Sequence, residues 1–183
     1  MIDAAVDALR HDGVEGMSFT DLLAASGAAR GAIYHHFPGG KSELVAAAVN
    51  RNGRDVRARL SELPAGTPRE IVGAFIAMIR PVVEESTAGS GCAVAAGAMA
   101  GGGQRDRDNL QSAAGDAIRS WIDVLQTRLR EGRIGRKDAT ELASLLVMAL
   151  EGAHVLARAE GRIEPFDRAA RALQALVAGS YPG

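Results

Sequence analysis

The chain has 183 residues, 47% hydrophobic and 23% charged, with a formal net charge of −1. This suits one globular domain, or a small one joined to a larger one, and means that any surface for a polyanion is local. A single cysteine, Cys92, excludes an intramolecular disulfide and a zinc-finger ligand set and fits a reducing cytosol. The acidic opening MIDAAVDALRHDG is not expected to be a signal peptide. No run of about 18 apolar residues appears, so no transmembrane span is expected.

No strand alternation is visible, and abundant Ala, Leu, Arg and Glu predict an all-α chain. The first helix is expected from Ile2 to Arg10, stopped by His11-Asp12-Gly13. The second starts at Ser18, where Ser-Phe-Thr-Asp has the capping-box pattern, and ends at Ser26-Gly27. A short third helix is expected from Ala29 to His35, before the break Pro38-Gly39-Gly40. The fourth runs from Lys41 to Leu63. The fifth covers Thr67 to Ser86, with Pro81 expected to kink it. Ala88 to Gly103 is rich in Gly and Ala, with a weak helix at Ala93 to Ala100. Three more helices are expected at Arg107 to Arg133, Lys137 to Glu160 and Pro165 to Ala178. No internal repeat is visible.

Tyr34, His35, His36 and Phe37 concentrate chemistry in four consecutive positions. A phosphate loop needs a glycine where His35 stands and a preceding strand, and has neither. Neighbouring histidines on a helix point about 100° apart and do not easily share a metal ion. Nucleophilic catalysis has only Cys92 and scattered serines, none tied to a base. For the histidines alone, an exposed helix end is the default. The context is two short helices joined at Ser26-Gly27-Ala28, the dimensions of a helix-turn-helix. Arg30 can then pair with guanine or phosphate, Tyr34 and His35 can reach backbone or a thymine methyl, and Lys41 sits at a helix start. From Arg30 to Arg59, six basic residues oppose two acidic ones, a local charge of +4. His36 reads equally as a phosphate contact or a buried capping residue. Phe37 reads as packing with Phe19, Leu22, Ile33 and Leu44.

Thr20-Asp21, Gly27, Ala29-Arg30-Gly31-Ala32-Ile33-Tyr34-His35-His36-Phe37 and Lys41-Ser42-Glu43-Leu44 closely resemble the DNA-binding signature of the TetR family of bacterial transcriptional regulators. Residue types and spacing agree from Ser18 to Leu44. The resemblance implies a helical homodimer whose second domain binds a small molecule. It also implies DNA contacts from Thr20, Arg30, Gly31, Tyr34, His35, His36 and Lys41. Two departures stand out: Ala29 replaces the usual serine, and the chain opens on its first helix without a basic leader. Gly91 to Ala96, GCAVAA, is similar to a "GCP-apolar" stretch of the LmrA/YxaF-like branch, with Ala93 in place of the proline.

The expected organisation is a three-helix DNA-binding domain over 1–46 and a larger helical ligand-binding and dimerisation domain over 47–183. In the second domain Phe75, Met78, Ile79, Met99, Trp121, Ile122 and Leu125 read as plain core or as the lining of a pocket for an apolar or aromatic ligand. Trp121, Gln126 and His154 are the candidate polar anchors. The last two helices are expected to form a homodimer, because the apolar arc of the first is wider than one domain needs and the second offers a matching face; the alternative is that both faces are covered within the monomer. Leu142, Leu146 and Leu150 mark the first arc, and Phe166, Ala170, Leu173, Leu176 and Val177 the second. The expected protein is a cytoplasmic repressor on a pseudo-palindromic double-stranded operator, released by a small-molecule inducer. No cofactor, metal, membrane or enzymatic activity is expected. The alternatives are an activator or a regulator without inducer, a helical enzyme, or an interaction module.

Overall fold

The computed structural model describes residues 1–27 and 35–181. Among the described residues there are eight helices and no strand, in keeping with the all-α reading. In chain order they are α1 (Ile2–Gly16), α2 (Phe19–Ser26), α3 (Gly40–Ser61), α4 (Pro68–Ser86), α5 (Ala93–Ala98), α6 (Gln104–Glu131), α7 (Arg136–Glu160) and α8 (Glu164–Ser180). From α2 onward every boundary lies within three residues of its expected place. The expected third helix lies mostly outside the described residues. The chain forms two compact units, Met1–Asp55 with Gly91–Ile118, and Val56–Ser90 with Arg119–Gly183.

In the first unit, α1 packs on α2 and on α5 around Ala5, Leu9, Met17, Leu22, Leu44, Val45, Ala48 and Val49. The short α5 comes close because Gly97 has no side chain: a Cβ there would lie 2.6 Å from a Val49 methyl. The Arg10 guanidinium donates to the Gly91 carbonyl at 3.4 Å. One expectation is met and one needs correction. The stop expected at His11-Asp12-Gly13 is a break at Gly13, which leaves helical geometry at φ 68° and ψ −174° before a short second helical piece reaches Gly16. Glycine takes that angle without a Cβ penalty. Ser18 is the N-cap of α2, but its side chain makes no capping bond. The Ser18 carbonyl still accepts from Leu22 N–H at 3.1 Å. Ser18 and Asp21 instead line a groove of about 470 Å³ between α1 and α2.

In the second unit, α4, α7 and α8 pack pairwise against one another. The start of α4 carries a reciprocal cap. Glu70 N–H donates to Thr67 Oγ1 at 3.3 Å, and Thr67 N–H donates to Glu70 Oε2 at 2.7 Å. The Thr67 amide holds the Glu70 carboxyl below its ordinary pKa. Helix α4 then runs through Pro81 to Ser86. Arg80 forms an ion pair with Asp167 of α8, and its guanidinium lies 6.0 Å from the centre of the Phe166 ring.

The face of α8 expected to meet a partner is largely taken up inside this unit. Phe166, Ala170, Leu173 and Val177 are all buried, and only Leu176 of that set is exposed, at 50%. A hydrophobic arc read from a helical wheel has a width, but the wheel does not say which neighbour covers it. Helix α7 bears on the expectation that no helix spans a membrane. An 18-residue window within Arg136–Glu160 has mean hydropathy 1.4, long and apolar enough by composition to cross a bilayer. The helix buries Leu142, Leu146, Val147 and Leu150 against its own unit and leaves Met148, Val155 and Leu156 exposed.

Candidate nucleic-acid interface

Of the candidate DNA contacts, Thr20, His35, His36 and Lys41 lie among the described residues of the N-terminal unit. Helix α2 ends at Gly27, whose φ of 65° and ψ of 13° form a left-handed cap that costs any other L-residue more. Thr20 stands exposed in the first turn of α2. Arg30, Gly31 and Tyr34 lie outside the described residues. His35 and His36 are helical and exposed, their rings edge to face with centroids 5.1 Å apart. The exposure of His36 removes the buried capping role and leaves its ring open to an external partner. Leu22 and Leu44 are buried as expected of packing residues, while Phe19 and Phe37 are half-buried.

After Phe37 the chain turns sharply. Gly40 N–H donates to the Phe37 carbonyl at 2.8 Å, and Gly40 adopts φ 70°. Gly39 N–H donates to Glu43 Oε2 at 2.7 Å. Lys41 follows at the start of α3, where backbone N–H groups lack intrahelical partners and favour an anion. Glu43 was visible in sequence only as part of the lysine-led motif, because its bond joins it to a glycine four residues back.

The local positive charge is narrower than the sequence count. Arg51 is paired with Asp55 at 2.9 Å and with Asp3 at 3.5 Å, and Asp3 lies outside the counted window. Hydrogen bonding to Asp55, with the nearby Asp3 charge, raises the Arg51 pKa further. Arg59 belongs to the second unit and donates to the Met78 carbonyl at 3.2 Å.

The candidate ligand residues do not share one environment. Phe75, Ile79, Trp121 and Leu125 are buried in the second unit, and Met78 and Ile122 are half-buried there. Met99 belongs to the first unit and is 77% exposed, directly after α5. Of the candidate polar anchors, Gln126 is half-buried, and the buried His154 has Nδ1 at 2.7 Å from Ser86 Oγ. A separate open cleft of about 790 Å³ lies in the second unit, lined among others by Thr67, Glu70, Arg133 and Tyr181. Burial raises the Tyr181 hydroxyl pKa, with smaller contributions from Asp138 and Glu141.

Comparison with known proteins gives these features a family. The family model for bacterial regulatory proteins of the tetR family matches residues 1–48. The model for the C-terminal domain of LmrA/YxaF-like transcriptional regulators matches residues 68–172. An uncharacterized HTH-type transcriptional regulator of Mycobacterium tuberculosis is 32% identical over 185 residues, covering 100% of this chain and 94% of that protein. Among solved structures, a TetR transcriptional regulator from Legionella pneumophila matches with TM-score 0.77 at 20% identity, covering 98% of this chain and 94% of its own. A cysteine mutant of the TetR family regulator CifR, complexed with 26-bp double-strand operator DNA, matches with TM-score 0.64 at 24% identity, covering 95% and 93%. The chain belongs to the TetR family, in its LmrA/YxaF-like branch, and is a DNA-binding transcriptional regulator.

Proposed function

We propose that this regulator is a cytoplasmic homodimeric repressor, with no membrane attachment, that leaves its operator when a small apolar or aromatic molecule binds. Residues 1–46 act as the DNA-binding head and residues 47–183 as the ligand-binding and dimerisation domain. Thr20, Arg30, Gly31, Tyr34, His35, His36 and Lys41 meet the duplex, with Arg30 reading bases and Lys41 holding phosphate. The observation that carries the reading is the packing of α1 on α5, with Arg10 bonded to the Gly91 carbonyl at 3.4 Å. Helix α5 follows α4 in the chain, and α4 holds three of the candidate ligand residues, Phe75, Met78 and Ile79. A displacement of α4 by ligand therefore has a short covalent path to the helix on which the head rests.

Dimerisation rests on a different observation. Met148, Gly152, Val155 and Leu156 fall on one stripe of α7, and Leu176 with Ala169 and Ala172 on an exposed face of α8. Met148 and Val155 are each 63% exposed, which suits burial against a second copy. A two-fold dimer then sets two heads about one helical turn of DNA apart, on a pseudo-palindrome.

The test is selection of bound sequences from random duplex DNA, followed by titration of the selected duplex with a ligand library while Trp121 fluorescence is read. A ligand that changes Trp121 emission also lowers operator affinity, because coupling between two sites is reciprocal. A ligand that moves the fluorescence and leaves affinity unchanged refutes inducible repression. The second reading is a regulator without inducer. It is favoured by the near-complete burial of Phe75 at 0%, Trp121 at 1% and Leu125 at 0%, which matches ordinary core packing.

A further inference from the structure

The turn between His36 and Lys41 contains two consecutive glycines, the residues with the largest conformational freedom. If His36 and Lys41 touch DNA, the spacing between them cannot be left to a loose Gly-Gly hinge. Three restraints act on it. Pro38 fixes its own φ. Gly40 N–H is bonded to the Phe37 carbonyl at 2.8 Å. The third is a side chain: Glu43 Oε2 accepts from Gly39 N–H at 2.7 Å. The Glu43 side chain lies so close over this glycine that a Cβ on Gly39 would meet its Oε2 at 3.1 Å and its Cβ at 3.2 Å.

The charge of Glu43 points the other way from its geometry. A carboxylate beside a surface that takes up phosphate weakens attraction to any duplex. At an exposed position, holding the turn is the contribution that favours operator binding. We propose that Glu43 is a positioning residue for operator recognition: it reaches back from α3 to clamp the Gly39-Gly40 turn and so sets His36 and Lys41 at the spacing that the duplex requires. The inference rests on the reading of those two residues as DNA contacts.

Two substitutions separate reach from charge. Glu43→Gln loses the charge and keeps an oxygen at the same reach. Glu43→Asp keeps the charge but is one methylene too short for Gly39, and an aspartate remains favourable near a helix N-terminus. Affinity is measured for a duplex selected from random DNA and for a scrambled duplex, alongside thermal melting of each variant. Glu43→Asp is expected to weaken the selected duplex by about tenfold and the scrambled one little, with an unchanged melting temperature. Glu43→Gln is expected to bind the selected duplex as well as the parent or better. The proposal is overturned if Asp matches the parent and Gln differs. It is also overturned if both variants shift both duplexes together, or if the loss in Asp tracks a lowered melting temperature. Lys41→Ala is the control: no loss on either duplex sinks the reading of Lys41 as a contact, whichever way the Glu43 variants fall.

Discussion

In the N-terminal unit the described candidates for DNA contact and the residues that hold the fold are different sets. Thr20, His35 and His36 are exposed, while Ala5, Leu9, Leu22, Leu44 and Val45 form the interior. In the second unit the sets overlap. Phe75, Ile79, Trp121 and Leu125 are the ligand candidates and are also core. A polyanion must be met by polar groups at the surface, whereas an apolar ligand is met by the same side chains that exclude water. Substitutions in the head should therefore separate function from stability, and substitutions in the second unit should merge them.

Trp121→Ala is the strongest test of that merging. Removing a fully buried indole is expected to cost about 3–5 kcal/mol of stability, read from denaturant unfolding. A cost near 1 kcal/mol or below would mean that the indole borders open space, and the pocket reading would then gain over the core reading.

The next pair of variants lies on one helix. Leu173 is 9% exposed and Leu176 is 50% exposed, three residues apart on α8. Leu173→Glu buries a carboxylate in the interior and is expected to destabilise the fold by about 3 kcal/mol. Leu176→Glu is expected to leave the melting temperature of the subunit nearly unchanged, to yield monomers on sedimentation and to weaken operator binding by untethering the two heads. A Leu176→Glu variant that stays dimeric moves the interface off α8.

In the head, effects should fall on binding alone. Arg30→Ala is expected to cost about 1–3 kcal/mol on the selected operator and to relax one base position. Lys41→Ala is expected to weaken all sequences alike and to flatten the salt slope by about one unit. Equal, sequence-independent losses for both would reduce Arg30 to a phosphate contact, and a fall in melting temperature for either would blur the contrast between the two units.

What the sequence made legible follows the same divide. Helix boundaries after α1 were readable because Gly and Pro punctuate locally, as at Pro38-Gly39-Gly40 and Pro64-Ala65-Gly66. The family signature was readable because DNA contacts need particular residue types at fixed spacing. What escaped is long-range or conformational. Nothing local announces that Asp3 lies beside Arg51, that Ser86 meets His154, or that α8 turns Leu173 inward. Apolar periodicity reports that a face is covered, and the cover is a property of the whole fold.

The smallest expected effect tests whether local rules still hold in the second unit, where function is hardest to read. Helix α6 ends at Glu131, and the next two residues are Gly132 and Arg133. Arg133 is the only non-glycine with positive φ among the described residues, at 69°. A left-handed residue after a helix is ordinarily glycine, because a Cβ there is crowded. Ile134 N–H returns to the Leu129 carbonyl at 3.2 Å, so the turn is a genuine helix cap. The glycine stands one residue early because Gly132 faces a closer constraint. A Cβ on it would lie 2.8 Å from the Gly66 carbonyl oxygen and 2.9 Å from the Ile71 Cδ1 methyl. Neighbouring substitutions should therefore have opposite signs. Arg133→Gly relieves the left-handed strain and is expected to stabilise by up to about 1 kcal/mol, less the entropy that glycine adds to the unfolded chain. Gly132→Ala drives a methyl into backbone and is expected to destabilise by about 1 kcal/mol or more. Thermal melting of the two variants checks both. Destabilisation by Arg133→Gly would mean that the guanidinium at this corner contributes more than its backbone strain costs, and the open cleft beside it would then be the first place to look for its partner.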